Sequence, residues 1–311
     1  MVTTACRGDA ASPNRPESSM PDAATPISSI AQSRKSFHAD LIKRGILRIG
    51  EDKVPSNADK DSKKSVALAL GVATRLEAEV GTRLKGQTAG SLFEVACSEF
   101  LKATFPLFEH LRPGPWEIEQ IKGRTSVRAI AKYDQYSHLL DLEKAVDANK
   151  QLQTILGNAY DISPDVVISR NPFSDEQINE SVVLVDDTVS GLSSLRSSNH
   201  ALPTLHAVVS CKWTFRSDRA QNARSEALNL IRNRKGRLPH IVVVTGEPLP
   251  SRLSSLALGT GDIDCVYHFA LPELISSMAE MAVGDEQDLL QTMVNGKRLR
   301  DIADLPLDLA V

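Results

Sequence analysis

The sequence has few cysteines, no long apolar run and no surplus of positive charge. Its four cysteines, Cys6, Cys97, Cys211 and Cys265, are scattered and form no Cys-x-x-Cys pair. That argues against a structural zinc and against a disulfide framework. No stretch approaches the roughly 18 apolar residues of a membrane span. The N-terminus lacks the apolar core of a signal peptide. These absences predict a cytoplasmic protein with no membrane partner. Lys and Arg number 36 against 39 Asp and Glu, a net charge of −3. Global charge therefore announces no nucleic-acid partner, and such a partner would need a local basic surface. No Gly-x-x-x-x-Gly-Lys-Ser/Thr is present, which sets aside a P-loop NTPase.

What remains is an ordinary globular composition, 41% hydrophobic and 24% charged, with length enough for a sizeable core. Residues 1–30 are rich in Ala, Ser, Pro and Thr and read as a disordered tail. Ala31 to Arg44 reads as an amphipathic helix stopped by Gly45. Glu51 to Lys64 is polar and loop-like, and Ser65 to Arg83 reads as a helix. A loop from Leu84 to Gly90 carries Gln87. Ser91 then looks like the N-cap of a helix reaching Phe105, with Glu94 in its first turn. Tyr133 to Ala159 reads as mostly helical. Strand-like runs follow at Val166–Ile168, Val182–Val185, Leu205–Cys211, Ile241–Val244 and Cys265–Phe269. The expected fold is α/β, a central mixed five-stranded sheet flanked by helices. One domain would cover 31–311: a helical part at 31–160, the sheet at 161–270 and a helical part at 271–311.

The most informative stretch is His206 to Glu226. It begins as a strand and delivers Lys212 to the strand's end. Arg216, Asp218 and Arg219 follow at once, and then a helix carrying Glu226. Upstream, Pro164-Asp165 opens another strand. Neighbouring strands can bring Asp165 and Lys212 together. An aspartate offers hard oxygens to Mg²⁺, and a bound metal can ionise water and stabilise charge on a phosphate. A lysine beside it can offset developing charge. Arginine is the commonest bidentate reader of guanine, and an acid can accept from cytosine N4. Each piece alone has a plainer explanation: charges at sheet ends, a solvated helix glutamate, a salt-bridge set at a helix start.

A second constellation competes. Val182 to Gly191 (VVLVDDTVSG) resembles the ribose-phosphate signature of phosphoribosyltransferases, an apolar strand, two acids and a small polar loop. That reading leaves Lys212 to Glu226 unexplained. A third alternative is a sequence-specific DNA-binding protein that has lost cleavage.

Asp165 and Lys212 are separated by 46 residues, and Lys212 and Glu226 by 13. With the run SCKWTFRSDRAQN at 210–222, this spacing resembles the NgoMIV-type restriction endonucleases, a displaced-acid subgroup of the PD-(D/E)xK nuclease fold. The resemblance spans roughly Gln87 to Glu226 and implies particular roles. Asp165 and the main-chain carbonyl of Cys211 would hold Mg²⁺. Lys212 would position the attacking water. Glu94 and Glu226 would complete the acidic site, with Ser210 standing where the fold's usual second acid sits. Arg216, Asp218 and Arg219 would read CCGG in the major groove, Gln87 would contact bases from the minor-groove side, and Asp59 is a further contact. Lys122, Arg124 and Arg128 would add to a basic cleft. The implied enzyme is a bacterial type II site-specific deoxyribonuclease, cutting double-stranded DNA at G/CCGGC to leave 5′ CCGG overhangs. It would act as a homotetramer, a dimer of dimers. A cognate methyltransferase would protect the same site without forming a stable complex. Asp186 and Asp187 would be structural or near a protein interface.

Overall fold

The computed structural model describes residues 27–121, 128–156, 162, 164–199, 202–215, 217–259, 261–281 and 284–311. The expected N-terminal tail falls almost wholly outside them, as do Lys122, Arg124 and Arg216. For Arg128, Asp218 and Arg219 the described part is the backbone.

Among the described residues, six strands form one sheet in sequential order: β1 (Trp116–Gln120), β2 (Val166–Arg170), β3 (Thr204–Lys212), β4 (His240–Thr245), β5 (Cys265–His268) and β6 (Leu299–Asp301). β1, β2 and β3 pair antiparallel, and β3 to β6 pair parallel. The mixed sheet is as expected, with one strand more. The helices are α1 (Ser29–Lys43), α2 (Lys63–Arg75), α3 (Gly86–Thr104), α4 (Arg128–Ala131), α5 (Leu139–Asp147), α6 (Lys150–Leu156), α7 (Asp175–Ile178), α8 (Ser217–Asn233), α9 (Pro250–Ala257), α10 (Leu271–Met281), α11 (Gly284–Asn295) and α12 (Leu305–Asp308).

β3 and β4 explain the core. Their middles, LHAVVSC and IVVVT, are buried without alternation. A strand covered on both faces selects such a run. α8 and α9 are the crossovers that parallel pairing requires. α3 lies across β1, β2 and β3 with α1 on top of it, and α9 packs on β5. α1 starts where the Ser28 hydroxyl accepts from Ala31 N (3.1 Å). It stops at Gly45, whose φ of 72° suits a residue without a Cβ.

Several expectations need correction. α2 ends at Arg75, eight residues early, and Glu77 follows with a φ of 57° that no helix continues through. α3 begins at Gly86, so Gln87 is helical, Ser91 is an exposed mid-helix residue and not a cap, and Glu94 lies beyond the first turn. β1 falls inside the part read as helical, and β6 inside the C-terminal part read as helices.

Val182–Val185 is no strand. It belongs to the excursion between β2 and β3, with Val182, Val183 and Leu184 exposed. The Asn179 side chain takes its backbone groups, accepting from Leu184 N (2.8 Å) and Val185 N (3.0 Å) and donating to Val185 O (3.0 Å). Asp186 closes a local turn by accepting from Thr188 N (2.8 Å). A phosphoribosyltransferase would need this segment at a sheet edge, and it is not there.

Candidate active site

Asp165 sits one residue before β2, beside the end of β3. Its Oδ2 accepts from Lys212 Nζ and from Cys211 N, both at 2.6 Å. The reason lies in the register. Val166 pairs with Val209, so the next ladder position opposite Cys211 is Pro164. Proline has no N–H to give. The ladder therefore ends, and the Asp165 carboxylate takes over the Cys211 N–H. A strand residue points its N–H and C=O to the same side, so the Cys211 carbonyl faces the same edge without a donor from Pro164.

The side chains sort by face. The Cys211 thiol is buried against Cys97 of α3. Ser210 and Lys212, one position either side, therefore point the other way. Burial pulls the Lys212 ammonium toward neutrality, but the Asp165 carboxylate, and Glu226 beyond it, hold its pKa above the ordinary lysine range. Lys212 is thus a charged donor and not a base. Glu94 reaches the same place from α3. Its pKa is pushed up to about 7 by burial and then by the Asp165 carboxylate, with Lys212 pulling the other way. A partly buried ion pair is poor evidence of stabilisation, since desolvation offsets most of the attraction. Two carboxylates crowded round one ammonium are better explained by chemistry on a charged ligand.

The fold thus brings together Asp165, Ser210, Cys211, Lys212, Glu94 and Glu226. Among the described residues, no three His, Cys, Asp or Glu side chains form a metal cage. The donors at this edge instead suit a hard cation held by one or two carboxylates, a carbonyl and water or phosphate oxygens.

The remaining candidates lie alongside. A cleft of about 840 Å³ is lined by residues that include Ala58, Asp59, Gly86, Thr214, Phe215 and Arg252. It excludes Asp165 and Lys212 and abuts the turn that leads from Lys212 to Arg216. Gln87 is exposed near its rim, on the first turn of α3. Asp59 forms an ion pair with Arg252 of α9. Arg252 was missed in the sequence because nothing local marks it; its partner lies 193 positions away. Glu247 was missed for the same reason. It is fully buried and accepts from Phe215 N (2.9 Å).

A mixed sheet that sets an aspartate and a lysine at adjoining strand ends, with helix carboxylates leaning in, defines a nuclease of the PD-(D/E)xK class. The comparisons carry this further. A family model described as NgoMIV restriction enzyme matches residues 37–311. The type II restriction enzyme NgoMIV of Neisseria gonorrhoeae is 53% identical over 281 residues, covering 90% of this chain and 98% of that protein. The chain therefore belongs to the NgoMIV restriction enzyme family, and it is a type II restriction enzyme, a site-specific endonuclease acting on DNA.

Proposed function

We propose that this enzyme hydrolyses double-stranded DNA at GCCGGC, after the first G, in a Mg²⁺-dependent reaction. The observation that carries the chemistry is the Asp165–Lys212–Cys211 geometry at the end of β3, with Arg216, Asp218 and Arg219 following on the same chain. Mg²⁺ would be held by Asp165 and the Cys211 carbonyl, with Glu94 or Glu226 alongside. When bound, it would supply positive charge at the scissile phosphate and ease ionisation of water. The fit rests on this structure: Glu94 and Asp165 crowd one another, and a cation relieves that repulsion. Lys212, charged and a donor, orients the attacking water and offsets charge on the phosphorane-like transition state. Ser210, on the same strand face, lines the pocket beside it.

Reading is assigned to the flank. Arg216, Asp218 and Arg219 supply donors and an acceptor suited to consecutive G·C pairs in the major groove. Gln87 approaches from the other rim of the cleft, where the minor groove would lie. Asp59, whose carboxylate pairs with Arg252, would be a further base contact beside Gln87.

The active form is read as a homotetramer. The excursion between β2 and β3 leaves Val182, Val183, Leu184 and Leu192 each exposed. An apolar surface of that kind calls for a partner, and a second copy of the chain is the occupant proposed. The cognate methyltransferase would meet this enzyme only through their shared DNA site.

The test is digestion of a plasmid with two GCCGGC sites, with and without Mg²⁺ at low salt, followed by end sequencing. Mg²⁺-dependent fragments with CCGG overhangs are expected. Discrete cuts elsewhere would keep the nuclease and overturn the assigned site. Specific binding with no nicking would favour a cleavage-dead binder.

A further inference from the structure

We infer that Glu247, one residue past Gly246 at the end of β4, is a positioning residue that sets the aim of the base-reading segment by gripping the main chain of Phe215. The inference rests on the reading of Arg216, Asp218 and Arg219 proposed above. Phe215 is the residue immediately before Arg216, and both of its main-chain groups are held. Glu247 Oε2 accepts from its N–H at 2.9 Å, and Arg252 Nη1 donates to its carbonyl at 3.2 Å. Arg252 Nη1 also lies 3.8 Å from Glu247 Oε2, and its other nitrogen pairs with Asp59. Glu247 Oε1 is fixed in turn by Leu249 N at 3.2 Å, and the Glu247 N–H by Thr245 Oγ1 at 3.0 Å.

The turn is braced from its other side as well. Trp213 is packed between Phe93 and Phe269, with ring centroids 5.0 and 5.2 Å away. Gly246 presses on it so closely that a Cβ there would lie 2.5 Å from the indole. Asn57 Nδ2 ties the Gly246 carbonyl to the Asp59 loop at 2.8 Å. Packing would be served as well by an apolar residue at 247, since burying a carboxylate is unfavourable unless its hydrogen bonds are needed. Burial does push its pKa up to about 7, against the pull of the Phe215 N–H and Arg252. A buried acid that links the Phe215 N–H to the Leu249 N–H, one residue before the proposed reading segment, serves alignment.

The test uses the full-length enzyme. Binding is measured to a GCCGGC duplex and to a scrambled duplex, with Ca²⁺ replacing Mg²⁺. Cleavage is measured under single turnover from the preformed complex. Glu247→Ala is expected to lower the specific-to-nonspecific affinity ratio about ten- to hundredfold, with the cleavage rate of bound DNA within a few-fold of wild type. Glu247→Gln, whose amide oxygen still accepts from Phe215 N while its NH2 gives up the Leu249 N–H bond, is expected to restore most of the ratio lost in Glu247→Ala. Glu247→Asp retracts the oxygens while keeping the charge; it is expected to lose the ratio and covers the case that the alanine variant fails to fold. An unchanged ratio in Glu247→Ala or Glu247→Asp overturns the inference. So does a parallel fall in specific binding, nonspecific binding and Tm in the glutamine variant. Arg219→Ala serves as the control: if it keeps the specific ratio, the reading of the segment itself has failed, independently of Glu247.

Discussion

The cutting corner and the reading cleft are close neighbours built in opposite ways. The corner hangs on strand ends. Asp165 and Lys212 are placed by sheet register, and the Cys211 N–H joins them because the ladder has run out. The cleft is assembled by side chains from remote segments: Asp59 before α2, Arg252 on α9, Glu247 after β4. On the roles proposed above, the contrast teaches that backbone pairing fixes the groups for the invariant chemical step, while side-chain bonding fixes those that would distinguish one sequence from another. A phosphate is the same at every step of the duplex, and a base pair is not.

The largest effect should come from Lys212→Ala. Losing an electrostatic donor of this kind costs about 10²–10³-fold in the cleavage rate, while specific binding in Ca²⁺ should persist. Equal loss of binding would erase the division between corner and cleft. Arg219→Ala should do the reverse, costing about 1–3 kcal/mol per base pair contacted, felt twice on a palindrome, and a binding titration reads it. Asp59→Ala should be milder, about tenfold or less against the wild-type site, with the CCGG reading by Arg216, Asp218 and Arg219 retained. Selection from a randomised-site library would show which positions relax.

The smallest effect concerns stability. The Glu247 carboxyl has a folded pKa of about 7, above its ordinary value of 4.5. The folded state therefore holds the proton more tightly than the unfolded state. The stability this confers is complete below about pH 4.5 and is lost as pH rises through 7. Glu247→Gln cannot ionise, so its Tm should gain on wild type by about 2–4 °C between pH 5 and pH 8. A constant difference would show that the carboxyl is not titrating there.

The same contrast explains what was legible beforehand. The spacing of Asp165, Lys212 and Glu226 was legible through its resemblance to the NgoMIV-type pattern, since most of the 46 residues between the first two cross an irregular excursion that no strand or helix count spans. Leu205–Cys211 announced itself as a strand because burial on both faces demands a continuous apolar run. β1 hid because Glu117 and Glu119 dilute its pattern, as edge strands commonly do. β6 hid because it has three residues. Val182–Val185 misled because an apolar β-branched run looks the same whether it enters a sheet or waits on a surface. Arg252 and Glu247 carry no local signal; only tertiary structure brings them to Asp59 and Phe215.

Pro164 shows how a residue can contribute by withholding. Had the chain carried an ordinary amide there, β2 could have continued its pairing by one rung, and the lone pairs of the Cys211 carbonyl would have been shared with a strand neighbour. In the function proposed above, sheet growth and cation capture would compete for the same oxygen at this edge. The ring that blocks one leaves room for the other, so the reach of the active site is set by where the sheet is made to stop.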